Sequence, residues 1–592
     1  MLLPVTAFGQ VFNLQTGELG INNIRRTNGA AVADYDRDGD LDIYIVAAFR
    51  FDPEDETTLN RLYANHNYQS FVDVTEESGL SALVEGVVVG NTQGHKFGPA
   101  WGDYNNDGWP DLYLANAGPN QLFHNNGDGT FTDVTEAAGV QGNDTTYHTS
   151  AMWWDFDRDG DLDLHLADWV YENVMYENLG DGTFQDITEA VGLDDPGHTF
   201  TSLPIDVNSD RRPDIYNVND HGANRLYINK GNDTFREVTA AFGLQDFGHG
   251  MGADIGDYNN DGLFDIYLTN IADLFLNPLF MNTGQNYFIN QAEELGVGDT
   301  GWGWGTAFFD CDHDGDLDLY ATNGSLVDPG RNHFFFNTLV ETGSPGFQDI
   351  SEASGTDGIK EARGLVIFDY DDDGDLDMLV SNRDNTPDLY HNHSVTANWL
   401  KVDLQGVVSN YNGVGAILRL TADGNTYHRL NDGSDFLGHS IQPVHFGIGD
   451  AAMAEELQIR WPNGLVETIT NIPANQTINI REGQGIITGI QDAVSDAAVP
   501  EEFAVFGNYP NPFNGVTNIK FSLPEPGELK LRIFNTLGQR VATFQKQYTA
   551  PGTYKLNWNT TDDAGQAVGS GVYIYQVVYE GSVITGKMLY LK

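Results

Sequence analysis

Short apolar stretches alternate with polar, glycine- and asparagine-rich turns along residues 12–393, without the 3.6-residue period of an amphipathic helix. Ile43-Tyr44-Ile45, Leu112-Tyr113-Leu114 and Ile266-Tyr267-Leu268 are typical of these stretches. Each is followed by an Asn-rich turn, a Leu-Tyr-x-Asn stretch and a Phe-x-Asp-Val-Thr stretch, as in Leu122–Val140. The pattern predicts repeating units of about four short β-strands joined by turns.

An acidic motif, D-x-D-x-D-G-x-x-D, precedes the apolar stretch in each unit and occurs seven times with small variations. The copies are spaced by 51 to 69 residues, and a repeat near 50 residues is typical of stacked or radial units. Four strands per unit are typical of a blade of a β-propeller. The copies begin at Asp34, Asp103, Asp155, Asp206, Asp257, Asp310 and Asp369.

The spacing of the oxygen ligands in this motif favours calcium. Carboxylates or amides at positions 1, 3 and 5 of a tight loop converge, glycine at position 6 permits the turn, and position 7 offers its carbonyl; a hard cation takes six to eight such oxygens. Position 9 is Asp and a strand follows, so the loop lies between strands and is not an EF-hand. An acidic solvated turn would explain one isolated copy, whereas seven copies in register favour up to seven Ca²⁺ ions.

The predicted calcium ligands are Asp34, Asp36, Asp38, Asp40, Asp42, Asp103, Asn105, Asp107, Trp109, Asp111, Asp155, Asp157, Asp159, Asp161, Asp163, Asp206, Asn208, Asp210, Arg212, Asp214, Asp257, Asn259, Asp261, Leu263, Asp265, Asp310, Asp312, Asp314, Asp316, Asp318, Asp369, Asp371, Asp373, Asp375 and Asp377.

The phase of the repeats predicts how the ring closes. The last loop is followed by Leu389-Tyr-His-Asn392 but by no Phe-x-Asp-Val-Thr stretch, while Phe12-Asn-Leu14 precedes the first loop. We therefore expect the N-terminal strand to complete the last unit, which gives an all-β chain with a seven-bladed propeller over residues 11–395. The longer first and penultimate units predict insertions around residues 51–58 and 326–345.

The repeats, for instance Gly252-Ala-Asp-Ile-Gly-Asp257-Tyr-Asn259-Asn-Asp261-Gly262, resemble the FG-GAP/VCBS repeats of integrin α-subunit propellers. The resemblance covers nearly all of residues 12–393. It implies that the Asp and Asn ligands bind Ca²⁺ in hairpin loops, which agrees with the interpretation of the spacing.

Residues 396–483 form a second predicted β domain. Gly413-Val-Gly415, His445-Phe-Gly447 and Trp461-Pro-Asn-Gly464 resemble the ASPIC/UnbV domain, which follows such propellers in cartilage acidic protein and many bacterial secreted proteins. We interpret His445 and Trp461 as packing residues and not as a site. Residues 484–502 are small, polar and acidic, which predicts a linker.

The last segment, 503–592, resembles the C-terminal sorting domain of type IX secretion substrates, on Asn508-Tyr-Pro-Asn-Pro-Phe-Asn514 and Gly571-Val-Tyr-Ile-Tyr575. The resemblance implies an Ig-like sandwich, the type IX secretion machinery as a partner, and a protein secreted by, or attached to the outer surface of, a Gram-negative cell. Residues 1–10 resemble the end of a signal peptide without its basic region; an unstructured N-terminus is the alternative.

Composition narrows the class of protein. The 592 residues include 29 Lys and Arg against 86 Asp and Glu, a formal charge of -57, which excludes a general nucleic-acid binder and suits a setting rich in divalent cations. Cys311 is the only cysteine, so no intramolecular disulfide forms, and its place in an apolar position of the loop predicts a buried thiol. No apolar run reaches the roughly 18 residues of a transmembrane segment.

Four histidines and a tryptophan precede successive loops by seven or eight residues: His95, His148, His198, His249 and Trp302. At that position they would gather near one mouth of the axial channel as a candidate ligand face for a metal or a sugar. The alternative is that each histidine hydrogen-bonds a neighbouring blade. No Ser-His-Asp elbow, zinc signature or phosphate loop accompanies them.

Two functions remain open from the sequence. The first is a secreted or surface-displayed calcium-binding adhesion protein with an extracellular protein or glycan ligand, favoured because the loops account for the clustered acids. The second is a secreted polysaccharide hydrolase or lyase that uses a propeller face.

Overall fold

The computed structural model describes residues 12–591, apart from the segments 48–55, 82–87, 272–275, 326–329, 394–396, 488–502, 514–516, 549–551 and 563–565 and single residues 67, 90, 91, 94, 95, 144, 510, 512, 559 and 567. The predicted N-terminal segment 1–10 and His95 lie outside the described residues, as do residues 51–55 and 326–329 of the two predicted insertions. The chain is all-β, as predicted, and its helices have a single turn each.

Within the described residues, seven sheets follow one another along 12–392, each with four antiparallel strands from this part of the chain. In chain order their strands are Thr27–Ala33, Asp42–Ala47, Arg61–Asn65, Phe71–Asp73 (sheet 1); Lys96–Gly102, Asp111–Asn116, Gln121–Asn125, Phe131–Asp133 (sheet 2); His148–Trp154, Asp163–Asp168, Val174–Asn178, Phe184–Asp186 (sheet 3); Thr199–Ile205, Asp214–Asn219, Arg225–Asn229, Phe235–Glu237 (sheet 4); Gly250–Gly256, Asp265–Asn270, Leu279–Asn282, Phe288–Asn290 (sheet 5); Gly303–Phe309, Asp318–Asn323, His333–Asn337, Phe347–Asp349 (sheet 6); and Ala362–Phe368, Asp377–Asn382, Asp388–Asn392 with Phe12–Leu14 (sheet 7).

The N-terminal strand closes the ring as the phase of the repeats predicts. Phe12 lies opposite Asn392 and Leu14 opposite Tyr390, antiparallel to the third strand of sheet 7. The first strand of each sheet packs against the first strands of its two neighbours, and that of sheet 7 packs against that of sheet 1. The seven sheets therefore form a propeller whose innermost strands surround an axial channel.

Burial decreases from the channel outward, so the inner strands are more fully buried than the outer strands. The first strand of sheet 1, Thr27–Ala33, is buried throughout, whereas its fourth strand, Phe71–Asp73, buries only the phenylalanine. Strands covered on both faces read as continuous apolar runs, and half-covered strands alternate. Large aromatic residues fill the space between sheets; Trp153, fully buried, donates its indole N–H to the carbonyl of Ala100 in the preceding sheet at 3.2 Å.

The turn after the fourth strand contains a one-turn helix in several sheets, which the sequence patterns did not indicate. A glycine in the left-handed conformation ends each helix, for example Gly139 with φ of 80°. The helices are Thr135–Ala138, Thr188–Val191, Thr239–Phe242, Ala292–Leu295, Leu339–Thr342 and Ser351–Ser354, with a 3-10 turn at Glu56–Thr58 and a small ribbon of Val88–Val89 and Thr92–Gln93. Leu339–Thr342 belongs to the predicted insertion of sheet 6.

The second domain packs two four-stranded sheets around one core that contains the fully buried Trp461, as predicted. In spatial order the sheets are Val444–Gly449, Asn398–Gln405, Gln476–Arg481, Gly485–Ile486 and Asn425–Asn431, Ala416–Ala422, Met453–Arg460, Val466–Pro473. The domain extends past the predicted boundary at residue 483, because Gly485 and Ile486 pair with Arg481 and Ile480.

The C-terminal domain is the predicted sandwich. Its sheets are Ala504–Tyr509, Thr517–Leu523, Gly552–Trp558 and Arg540–Tyr548, Gly527–Asn535, Gly571–Tyr579, Ser582–Tyr590, in spatial order. Aromatic residues dominate its core, with Trp558 fully buried between Phe513 and Tyr573.

Candidate cation loops and channel mouth

The seven acidic motifs connect the first strand of each sheet to the second and so lie on one face of the propeller. The carboxylate at position 1 accepts the backbone N–H of position 6 in all seven loops, at 2.7 to 3.3 Å. The carboxylate at position 9 accepts the backbone N–H of the Asn that ends the third strand, at 2.7 to 2.9 Å. Backbone donors thus hold both ends of each loop in place.

Carboxylates within single loops converge. In loop 1, one oxygen from each of Asp34, Asp36 and Asp42 lies within 4.8 Å of the others, and Asp155, Asp157 and Asp163 of loop 3 do the same. In loop 7 Asp371 and Asp373 converge with His391, and in loop 6 Asp312 and Asp318 converge with the buried Cys311. Positions 1, 3 and 9 can therefore hold a hard divalent cation in loops 1 and 3.

Several of these carboxylates are buried with oxygens that lack a hydrogen bond: Oδ1 of Asp155 and Asp310, and Oδ2 of Asp111 and Asp265. Burial, together with neighbouring carboxylates, raises the pKa of Asp103 to about 8 and that of Asp155 to about 7. Such groups disfavour the charged form unless a cation lies between them. The donor set therefore fits a divalent cation such as Ca²⁺.

Loop 4 departs from the others. Arg211 stands at position 6 with φ of 71°, where the six glycines have φ between 88° and 100°. Arg212 forms an ion pair with the loop carboxylate of Asp210, and Arg460 of the second domain lies 3.4 Å from Asp206. Basic side chains already compensate part of the charge of this loop.

An asparagine from each of six sheets reaches into the loop of the preceding sheet. Its side-chain amide donates to the carbonyl of position 2 at 2.7 to 2.9 Å, and Asn65 thereby joins sheet 1 to Tyr370 of loop 7. The six are Asn65, Asn125, Asn178, Asn229, Asn337 and Asn392. The sequence shows this Asn in every Leu-Tyr-x-Asn stretch, but its contact with the neighbouring loop appears only in the structure.

The second domain covers the loop face of the propeller with basic side chains. Lys401 donates to Asp369 and Asp372 of loop 7 at 2.6 Å each; burial alone would lower its pKa, but the two carboxylates outweigh that effect and raise it. Other contacts are His428 with Asp257, Arg429 with Asp310, and, from the C-terminal domain, Lys520 with Asp38 and Asp40. His445, interpreted as a packing residue, is buried at this interface with Nε2 at 3.0 Å from the carbonyl of Gly374.

A hairpin of the second domain, Ser434–Asp435 and Gly438–His439, enters the channel from this face and extends sheet 2 through His439 beside Ala100. The buried Phe436 and Leu437 at its tip pack in one apolar cluster with Phe97, Tyr147, Phe200 and Met251. Close approach requires glycine in the channel wall, since a Cβ at Gly29 would lie 2.1 Å from the carbonyl oxygen of Leu437. Nothing in the sequence pattern indicated this insertion.

The predicted ligand face lies at the opposite mouth of the channel, and the structure divides its members. His148 is fully buried and hydrogen-bonds Asn120 of the preceding sheet. His198 and His249 are partly exposed and contact the carbonyl of Trp169 and the carboxylate of Asp220, also in the preceding sheet. The three described histidines thus each bond a neighbouring sheet, while Trp302 is partly exposed in sheet 6.

Sequence reasoning missed three residues at this mouth, because they follow the second strand and not the repeated position before the first. Trp169 donates its indole N–H to Asp220 at 2.8 Å, and His221 is half-exposed with its ring 4.8 Å from that of His249. Asp220, His221 and His249 each bring one ligand atom within 4.8 Å of the others.

Models of three families match the chain. The FG-GAP-like repeat matches residues 103–166, 155–216 and 206–268, ASPIC and UnbV matches 406–487, and the FlgD Ig-like domain matches 508–582. The chain carries FG-GAP-like repeats and an ASPIC/UnbV domain. Cartilage acidic protein 1 of Xenopus tropicalis is 24% identical over 473 residues (74% of this chain, 71% of that protein), and that of Homo sapiens is 24% identical over 481 residues (74% and 69%).

Solved structures show a weaker likeness than cartilage acidic protein 1 does. An Agrocybe aegerita lectin that recognises non-reducing terminal N-acetylglucosamine has a TM-score of 0.34 and 15% identity, over 60% of this chain and 86% of the lectin. YCF48 bound to D1 peptide has a TM-score of 0.38 and 8% identity, over 63% and 96%. Among the described residues, no helix is both long and apolar enough to span a membrane.

Proposed function

We propose that this protein is a calcium-binding propeller, secreted or held at the cell surface, that binds an extracellular protein or glycan. The convergence of carboxylates from positions 1, 3 and 9 around buried, unbonded oxygens supports the calcium part of the proposal. Oxygen ligands in a flexible loop are those that Ca²⁺ prefers, and burial of so many acids is costly without a cation.

The mouth opposite the loops is the surface that we assign to the ligand. Among the described residues, those of the second domain and its hairpin contact the loop face and the middle of the channel, away from this mouth. It presents Trp169, His198 and His221, together with the strongly exposed Tyr171 and Phe247. Aromatic faces and polar groups at a concave mouth suit glycan or peptide recognition.

The C-terminal sandwich is proposed to direct export through the type IX secretion machinery. The resemblance of residues 508–514 and 571–575 to that class of sorting domain supports this role, and the match of the segment to an Ig-like domain agrees with it. The domain has its own aromatic core.

A glycan array probed with full-length protein, with Ca²⁺ and with a chelator, tests the ligand proposal. We expect Ca²⁺-dependent binding that Phe247→Ala weakens, because Phe247, two residues before His249, is 63% exposed. Tyr287→Ala is the matched control, since this exposed aromatic lies beside the outermost strand of the same sheet. Equal binding by both variants would contradict the assigned face, and release of reducing ends from a bound polysaccharide would show a hydrolase or lyase instead.

A further inference from the structure

Asp220, His221 and His249 lie close together at the channel mouth, and their two imidazoles and one carboxylate differ from the carboxylate clusters of the acidic loops. Asp220 follows the second strand of sheet 4, and His249 directly precedes the first strand of sheet 5. Asp220 Oδ1 lies 3.1 Å from His249 Nδ1, and Asp220 Oδ2 lies 3.6 Å from His221 Nε2. Asp220 is 5% exposed, whereas His221 faces solvent.

These distances match the spacing of ligands around a small transition-metal ion. A tetrahedral Zn²⁺ with ligands at about 2.0–2.1 Å holds them about 3.3 Å apart. A single Asp-His pair at 3.1 Å is explained as a hydrogen bond, but His221 is a third group at ligand distance from the same carboxylate. Two imidazoles and one carboxylate favour Zn²⁺, Cu²⁺ or Ni²⁺ over the hard Ca²⁺ of the loops.

A second layer of contacts orients the carboxylate. Trp169 Nε1 donates to Asp220 Oδ2 at 2.8 Å, and the backbone N–H of Asp220 donates to the carbonyl of His198 at 2.8 Å. Such outer contacts fix the ligands of metal sites and tune their affinity. The ring of His198 lies 5.4 Å from that of His221, which makes the rim of the site aromatic.

We propose that Asp220, His221 and His249 bind one borderline transition-metal ion, with Zn²⁺ as the representative ion, on the face opposite the acidic loops. Three protein ligands leave a coordination position open to solvent, as in zinc sites that take an exogenous ligand. The site would give the channel mouth an anchor for an anionic or electron-donating group of a bound molecule.

The test is a titration of full-length protein with Co²⁺ in saturating Ca²⁺, followed by visible absorption, with Zn²⁺ as competitor. We expect one Co²⁺ per chain, displaced by Zn²⁺. His221→Ala should weaken binding by roughly 100-fold or more, and Trp169→Phe by about tenfold through loss of the contact that orients Asp220. Calcium content of the same samples should not change, which separates this site from the acidic loops.

His66→Ala is the matched control, because His66 is an exposed histidine on sheet 1, away from the channel mouth. It should bind Co²⁺ like the natural protein. Absence of Co²⁺ binding by the folded natural protein would overturn the proposal, as would an unchanged isotherm in His221→Ala and Asp220→Asn. Melting curves establish that the exposed His221→Ala variant is folded.

Discussion

Loop 4 is expected to be the weakest of the proposed calcium sites. Variants of its two arginines can separate the effect of backbone strain, at Arg211, from the effect of positive charge, at Arg212. Arg211 already has φ of 71°. A non-glycine residue there costs on the order of 1 kcal/mol, and the cost is present with and without the ion if the loop keeps this conformation. Arg211→Gly should therefore raise the stability of the fold more than the affinity for Ca²⁺.

Arg212 acts on affinity directly. Its guanidinium pairs with Asp210, and both side chains are about one-third exposed, so breaking the pair costs at most about 1 kcal/mol. A unit charge at about 6 Å from a divalent ion in a water-like dielectric adds roughly 1 kcal/mol of repulsion. Arg212→Leu, which copies Leu263 of loop 5, should thus tighten this site by roughly 1–2 kcal/mol, about five- to thirtyfold in Kd.

Equilibrium dialysis over a series of free Ca²⁺ concentrations, with bound calcium measured per chain, reads out the effect. In the natural protein, loop 4 should take up its ion last, at a free Ca²⁺ concentration within or above the roughly 10⁻⁴ to 10⁻³ M range of extracellular modules. Arg212→Leu should move this last step to lower concentration. Arg236→Leu, an exposed arginine in the fourth strand of the same sheet, is the control. An unmoved last step in Arg212→Leu would refute the electrostatic reasoning.

Three further outcomes are expected. In chelator, the melting temperature should fall as pH rises from about 5 to about 8. Burial raises the folded-state pKa of Asp155 to about 7 and that of Asp103 to about 8, so the stability that the protonated carboxyls give is complete below their unfolded pKa near about 4 and is lost as pH rises through the folded values. Saturating Ca²⁺ should abolish the fall, and an equal fall with Ca²⁺ would contradict the calcium assignment. Phe436→Ala should lower the free energy of unfolding in urea by about 3–5 kcal/mol, because Phe436 is buried in the channel. Phe506→Ala, at a half-exposed position, is the control and should have little effect. Equal losses in the two variants would show that packing of the hairpin in the channel does not stabilise the fold. Deletion of residues 503–592 should stop surface display in the native host. The remaining chain, recovered from cells, should still bind calcium and melt cooperatively. Normal display of the shortened chain would rule out the sorting role.

Local patterns predicted what local spacing controls. The acidic loops, the four strands per unit and the completion of sheet 7 by Phe12–Leu14 follow from residue spacing. The sequence did not predict that the second domain covers the loops, because Lys401 lies in a β domain whose apolar pattern indicates only its own core. Asp220 and His221 were not predicted as site residues for a related reason: they follow the second strand of a single sheet and so do not belong to a position that recurs in every repeat.

The asparagine contacts connect the proposed calcium sites to closure of the ring. Asp42, at position 9 of loop 1, accepts the backbone N–H of Asn65, and the side chain of Asn65 holds Tyr370 in loop 7. The backbone N–H of Tyr370 in turn donates to Asp377, at position 9 of loop 7. A cation that fixes Asp42 therefore also restrains the neighbouring loop, and five other asparagines make the same contact with the loop of the preceding sheet. Because six of the seven loops are held by an asparagine of the next sheet, loss of an ion from one of them weakens the interface between two sheets as well as its own turn. These six loops should therefore lose calcium together as the ring unfolds, whereas loop 4 empties in a separate step.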